Sequence, residues 1–426
     1  MSGRLAVALV VTVFTTPPAL LSEQGMARMG VLLLVVAAGL AAAVAQRRGT
    51  VLHPEFRRFL AWVLGFETWV LIVLVVFPST IVFITVYSAT VVVATCIAAA
   101  YLLSDHQTAR RSAALMVWVL ALLGYSGLVT WALLLLGVPS SRLAIMPLKL
   151  YAQWQGNATT SLFFPLTAEA GNISLAGMTL PRSAGGMREP GLSQLFVVIG
   201  LIVAVRLKMS RLLVGGLIGG LVVSGSTAGV VSLTVAALVS SAVGSRSASP
   251  LLLYAGRLTG VLVTGLGAWA LIELPSIGIL DKDTQSGSVD ARRQAVTSGL
   301  SSLVDHPLGT GFGHVTGDMA INLIGIGSEI GWPGLVLITG TYLSLAWGRR
   351  LGSRYLPTLC SVVFVTGLSS QPLLNMPGLY VAMLIAAGAV AGDHGASPTS
   401  DPSAGDRIGG DGWHPGPGAA RAMWRD

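Results

Sequence analysis

Twelve mostly apolar runs, at about 5–21, 29–45, 59–77, 81–103, 113–137, 193–206, 211–224, 228–244, 256–274, 319–347, 356–371 and 378–392, constrain this chain more than any other feature. A helix needs about 20 apolar residues to cross a bilayer, and a water-soluble fold has no interior large enough to hide so many such runs. Only 10% of the 426 residues are charged, against about 25% in soluble domains. The expected fold is therefore all-α: a polytopic integral membrane protein with about 12 transmembrane helices and two long external loops.

The net charge of +8 would point to nucleic acid in a soluble protein. In a membrane chain, basic residues instead mark cytoplasmic connections. Placing the amino terminus in the cytoplasm puts most of the 26 lysines and arginines there, in groups such as Arg47, Arg48, Arg57 and Arg58, or Arg349, Arg350 and Arg354. Both termini are then cytoplasmic and no nucleic-acid partner is expected. Arg4 followed by an apolar run and Thr15-Thr16-Pro17-Pro18 has some character of a signal peptide. A first membrane helix is preferred, since no small-residue cleavage site is evident.

This orientation makes the transmembrane domain residues 1–392, with external loops at about 138–192 and 275–318. The first loop carries Trp154, Phe163, Phe164 and Pro165 and reads as a lid or an acceptor contact. Its Asn157-Ala-Thr159 and Asn172-Ile-Ser174 match the glycosylation pattern, a short motif common by chance. Residues 393–426 are rich in Gly, Pro, Ser and Asp and read as a disordered cytoplasmic tail. Gly215, Gly216, Gly219 and Gly220 form overlapping small-xxx-small pairs, whose default meaning is close helix packing. Ser224-Gly225-Ser226-Thr227-Ala228-Gly229 then breaks one short span from the next.

The chemistry concentrates in Ser288–Gly334, a polar, Gly-rich stretch that runs straight into an apolar span. Arg292 and Arg293 are the candidate diphosphate ligands, because the planar guanidinium matches phosphate oxygens in paired hydrogen bonds. A solvated surface pair or a lipid headgroup contact would produce the same two letters. In His306-Pro-Leu-Gly-Thr-Gly-Phe-Gly-His314 the alternating glycines suit a tight turn or a backbone anion cradle. His314 is the candidate catalytic base. Glu329, in a mostly apolar run, needs a partner or a water-filled cavity, a need that a loop arginine would meet. Glu67, midway along the third span, raises the same question. Cys96 and Cys360 offer no disulfide or metal framework, and no HExxH, Walker loop or dinucleotide fingerprint occurs, so no cofactor or metal is expected.

The order of these pieces resembles the O-antigen ligase and polysaccharide polymerase family of bacterial inner-membrane enzymes. The likeness lies in Arg292 or Arg293, then DHPLGTGFG (305–313), then Asn322 and SEIGWPG (328–334) opening a membrane span. The upstream SGSTAG break (224–229) and the twelve-span layout add to it. The resemblance covers the second half of the chain well and the first half as hydropathy. It implies metal-independent, inverting glycosyl transfer from an undecaprenyl-diphosphate carrier to an acceptor hydroxyl on the external face of the cytoplasmic membrane. Arginines would hold the diphosphate and a base would take the acceptor proton. The implied partners are a polyprenyl-diphosphate-linked glycan, an acceptor glycan or lipid, the bilayer and other polysaccharide-assembly proteins.

Two positions depart from the family pattern. Ala320 stands where a histidine is usual, and Thr227 where an arginine is common. His314 is the expected substitute base, with Asp318 behind it. Loss of both residues fits a divergent polymerase better than a ligase. It also fits a non-catalytic member of a synthesis complex, while a transporter or flippase for lipid or polysaccharide is the rival from another class.

Overall fold

The computed structural model describes residues 2–46, 52–79, 81–152, 156–175, 178–225, 227–242, 288–312, 322–347, 355–369 and 373–391. They belong to one compact unit, Met1–Gly392, which is mostly helical. The expected disordered tail, 393–426, and the expected ninth span, at about 256–274, lie outside the described residues.

Every other expected span meets a helix. These are α1 (Ser2–Thr15), α2 (Ala27–Gln46), α3 (Pro54–Val76), α4 (Val82–Leu103) and α5 (His106–Leu135). After a single turn, α6 (Ser140–Leu143), and a sheet come α7 (Pro190–Arg206), α8 (Arg211–Ser224) and α9 (Thr227–Ala242). The last described helices are α10 (Ser288–Asp305), α11 (Leu323–Leu343), α12 (Tyr355–Ser369) and α13 (Pro377–Ala391). Five helical stretches are long and apolar enough to cross a membrane: Gln24–Ala42, α3, α4, α5 and Leu323–Ala346. The chain is thus a membrane-embedded helical protein.

Helix ends follow local rules. Asp105 caps α5 through Thr108 N–H (3.0 Å), Ser210 caps α8 through Leu213 N–H (3.5 Å) and Asn322 caps α11 through Gly325 N–H (2.8 Å). Pro54 and Pro190 each sit in a first turn, where no N–H is needed. The glycine-rich face of α8 packs on α5, and a Cβ on Gly124 would overlap the carbonyl oxygen of Gly216. Close backbone approach is therefore what these glycines provide. The main apolar core is continuous through α1, α3, α4, α5, α7 and α13.

Two expectations about the loops change. The first long loop, 138–192, holds an antiparallel sheet in the order β1-β2-β3-β4: β1 (Ala144–Ala152), β2 (Gly156–Phe163), β3 (Thr167–Leu175) and β4 (Met178–Ser183). In register, Leu148 faces Thr160 and Ile173 faces Leu180. The end of α5 anchors the sheet: Trp131 Nε1 donates to Pro181 O (2.7 Å), Thr130 Oγ1 to Phe164 O (2.7 Å), and Leu166 N to Ser126 Oγ (2.7 Å). The second expected loop, 275–318, contains α10, whose helical register is masked in sequence by its polar surface.

Candidate functional site

The Ser288–Gly334 stretch divides into a helix, a turn and a kinked helix. Along α10, Ala295, Gly299 and Leu303 form a buried stripe at helical spacing. Gly299 lets α10 approach the backbone of α11, since a Cβ there would stand 2.6 Å from Ile324 O. The opposite face carries Thr297, Ser298, Ser301, Ser302 and Asp305, which with His306 line a polar depression of about 460 Å³. On the other side lies an apolar groove of about 400 Å³, lined by Leu300 and Leu303 together with Trp62, Trp332, Val336 and Phe364 among others. At 3.6 residues per turn, position 293 lies two turns ahead of Leu300 and position 292 two turns ahead of Gly299. That spacing is roughly 10 Å along the axis.

The turn after α10 is built against a defect in α11. Gly331 (φ 67, ψ 179) interrupts that helix and Pro333 follows it. Such a conformation is almost confined to glycine, and proline supplies no N–H to the turn before it. Carbonyl oxygens near the interruption are consequently open to donors from outside the helix. Thr310 N–H donates to Ser328 O (2.9 Å), Gly311 N–H to Glu329 O (3.2 Å), and Trp69 Nε1 of α3 to Ile330 O (2.7 Å). In return Trp332 N–H donates to Pro307 O (2.9 Å). Gly309 (φ 95) and Gly331 press backbone to backbone, leaving no room for a Cβ on either. The alternating glycines of HPLGTGFG thus meet the conformational needs of a turn docked on a kink.

The expected site residues are distributed as follows. Arg292 and Arg293 lie in α10, a helix that holds them about 18 Å along its axis from its far end at Asp305. The arginines and His306 therefore belong to opposite ends of one rod, where the sequence had suggested one continuous polar loop. Glu329 is 5% exposed, in the turn just before the kink. His314, Asp318 and Ala320 fall outside the described residues.

Three residues that the sequence motifs did not single out take part in the polar geometry. Arg182 of β4 donates from Nε to Ser224 O (3.1 Å), and Gln194 Nε2 donates to Ser224 Oγ (2.5 Å). Both converge on the α8–α9 break, where Gly225 is left-handed (φ 52, ψ 30). A Cβ on Gly229 would overlap Gln194. Trp69 is the third. None is near its partner in sequence, so no local motif carries the signal.

Glu169 of β3 lies outside the spans, and burial raises its carboxyl above the usual 4.5. Among the described residues no group of three or more His, Cys, Asp or Glu side chains is placed to hold a metal ion. No family model, curated protein or solved structure matches this chain.

Proposed function

We propose that this protein transfers or polymerises a polyprenyl-diphosphate-linked oligosaccharide at the external face of the cytoplasmic membrane, with polymerisation preferred over ligation. The observation that carries the reading is the helix α10 itself. One helix carries both the Leu300 and Leu303 that line an apolar groove against membrane helices and, nearer its start, two consecutive arginines, which suits an amphiphile with an apolar tail and an anionic head. The isoprenoid chain occupies the groove beside Trp62, Leu303 and Trp332, and the diphosphate lies nearer Arg292 and Arg293. In the reaction an acceptor hydroxyl attacks the anomeric carbon while the bond from that carbon to the diphosphate oxygen breaks. Arginine charge offsets the charge that develops on the leaving group. The acceptor proton passes to a base, for which His314 is the candidate, and Glu329 under the turn is the second catalytic candidate.

The test is glycan chain length in a strain lacking the gene, rescued with wild type or with the double variant Arg292→Ala/Arg293→Ala. The expected result is long polymer with wild type and single repeat units with the variant, at equal abundance in the membrane. Unchanged polymer with the variant overturns the arginine role. A second reading, a transporter for the same lipid-linked glycan, is favoured by one observation: an acid, Glu67, buried in the middle of α3. Loss of function on Glu67→Gln with the arginines dispensable would select it.

A further inference from the structure

The turn between β2 and β3, Phe164-Pro165-Leu166, is bonded to α5 well short of the end of that helix. Thr130 Oγ1 donates to Phe164 O (2.7 Å), and Leu166 N–H donates to Ser126 Oγ (2.7 Å). Thr130 and Ser126 precede Leu135, the last residue of α5, by roughly 8 and 14 Å along the axis. Measured from the other end, Thr130 stands roughly 28 Å beyond Arg111, an exposed cation in the second turn of α5. A hydrocarbon core is about 30 Å thick. The two bonds therefore hold the turn at a depth that the spanning part of α5 occupies.

The backbone of the turn is equipped for that depth. Phe164 N–H donates to Leu143 O (2.8 Å), Pro165 has no N–H, and Leu166 N–H has Ser126. The Thr167 hydroxyl bonds both Ser126 Oγ (3.1 Å) and Thr130 Oγ1 (2.8 Å), and all three of these residues are buried. Irregular backbone persists at membrane depth where protein groups satisfy it, and here two hydroxyls of a membrane helix do so.

The side chains do the opposite. Phe164 and Leu166 are 52% and 47% exposed although the backbone around them is tied down. The bond to Leu143 brings the start of β1 to the same corner, where Ile145 and Met146 are exposed as well. On α5, Trp118, Leu122, Val129 and Leu136 form an exposed apolar stripe at helical spacing, with Ser126 and Thr130 on its flank. Arg142 is the sole charged residue from Leu133 to Leu148, and none occurs from Thr160 to Ala168. The patch thus continues the surface that a spanning helix shows to lipid.

We propose that the β2–β3 turn is seated in the bilayer, with Phe164, Leu166, Ile145 and Met146 among the acyl chains of the leaflet in which α5 ends. The partner of this surface is lipid hydrocarbon, and the sheet is a membrane-anchored platform, not a lid free in water. This inference does not depend on the transferase reading.

The test uses the full-length chain in phosphatidylcholine vesicles. Cys96 and Cys360 are buried, and unmodified protein gives the labelling background. Phe164→Cys and Leu166→Cys each carry a nitroxide, whose collisions with oxygen, enriched in lipid, are compared with those with a water-soluble nickel chelate. Leu122→Cys is the lipid reference, and Ser301→Cys, on the exposed polar face of α10, is the water reference. The expected oxygen-to-nickel ratio at 164 and 166 is several-fold above that at 301 and nearer that at 122. A ratio nearer that at 301 overturns the proposal. Low collision with both reagents, which would mean that protein covers the turn, overturns it too. Should either variant fail to accumulate, Met146→Cys replaces it under the same criteria.

Discussion

Two of the helix interruptions among the described residues are repaired differently. At Ser224–Gly225 the helix α8 stops outright, and the carbonyl of Ser224 is met by the Arg182 guanidinium from the sheet, with Gln194 on the hydroxyl. At Ile330–Gly331 the helix resumes after its interruption, and the open carbonyls take neutral donors: the Trp69 indole and two backbone N–H groups from the preceding turn. Both side-chain donors are half-buried, and both accepting carbonyls belong to fully buried residues. What differs is where the donors come from: at the first break side chains of distant elements do the work, and at the second the backbone of the adjoining turn does most of it. The form of the helix defect, more than its burial, goes with the type of donor.

The sharpest way to break the comparison is Gly331→Ala. A side chain there meets the Leu308 carbonyl carbon and the Gly309 backbone, at a φ, ψ pair that only glycine adopts readily. The expected loss is at least about 3 kcal/mol, seen as disappearance of folded protein from the membrane. Next is Trp69→Phe, which keeps an aromatic ring, gives up part of the volume and leaves Ile330 O without its indole donor. A loss of about 1–3 kcal/mol is expected, read as a lower thermal midpoint in detergent. Arg182→Gln should cost less, about 1 kcal/mol, because glutamine keeps an amide N–H that can serve the Ser224 carbonyl. If Arg182→Gln proves more damaging than Trp69→Phe, the repair of the first break needs the guanidinium itself.

The smallest effect concerns Glu169 in the sheet. Its folded pKa is raised, so folding favours the protonated form. The stability from that preference is present below the ordinary value of 4.5 and is lost as pH rises through the folded pKa. Glu169→Gln should therefore flatten the pH dependence of the thermal midpoint just above 4.5 while leaving the function unchanged. A midpoint that falls with pH equally in both proteins would remove Glu169 from the account.

The helical bundle was legible because a span is a matter of composition: twenty apolar residues declare themselves without any knowledge of their neighbours. The sheet was not, because its strands pair across turns and rest on Ser126, Thr130 and Trp131 of α5, contacts that no short window reveals. Helix α10 was hidden for a different reason. Its inward stripe is Ala295, Gly299 and Leu303, mostly too small to register as apolar, and its Ser/Thr face reads as loop. At the candidate site the sequence supplied the glycines, the arginine pair and Glu329. The pairing of the turn with the α11 kink needed the backbone geometry, and Arg182 and Trp69 needed the fold.

The docking of the turn on the kink also sets a rule about chain length. Pro307, Thr310 and Gly311 are fixed to Trp332, Ser328 and Glu329 respectively, so the turn is held to the kink at three points. Such a ladder has a register, and insertion or deletion of one residue between 307 and 311 would put every later rung out of phase. The polar face of α10 can drift in sequence so long as its stripe survives. The five residues from Pro307 to Gly311 can change neither their number nor the position of Gly309.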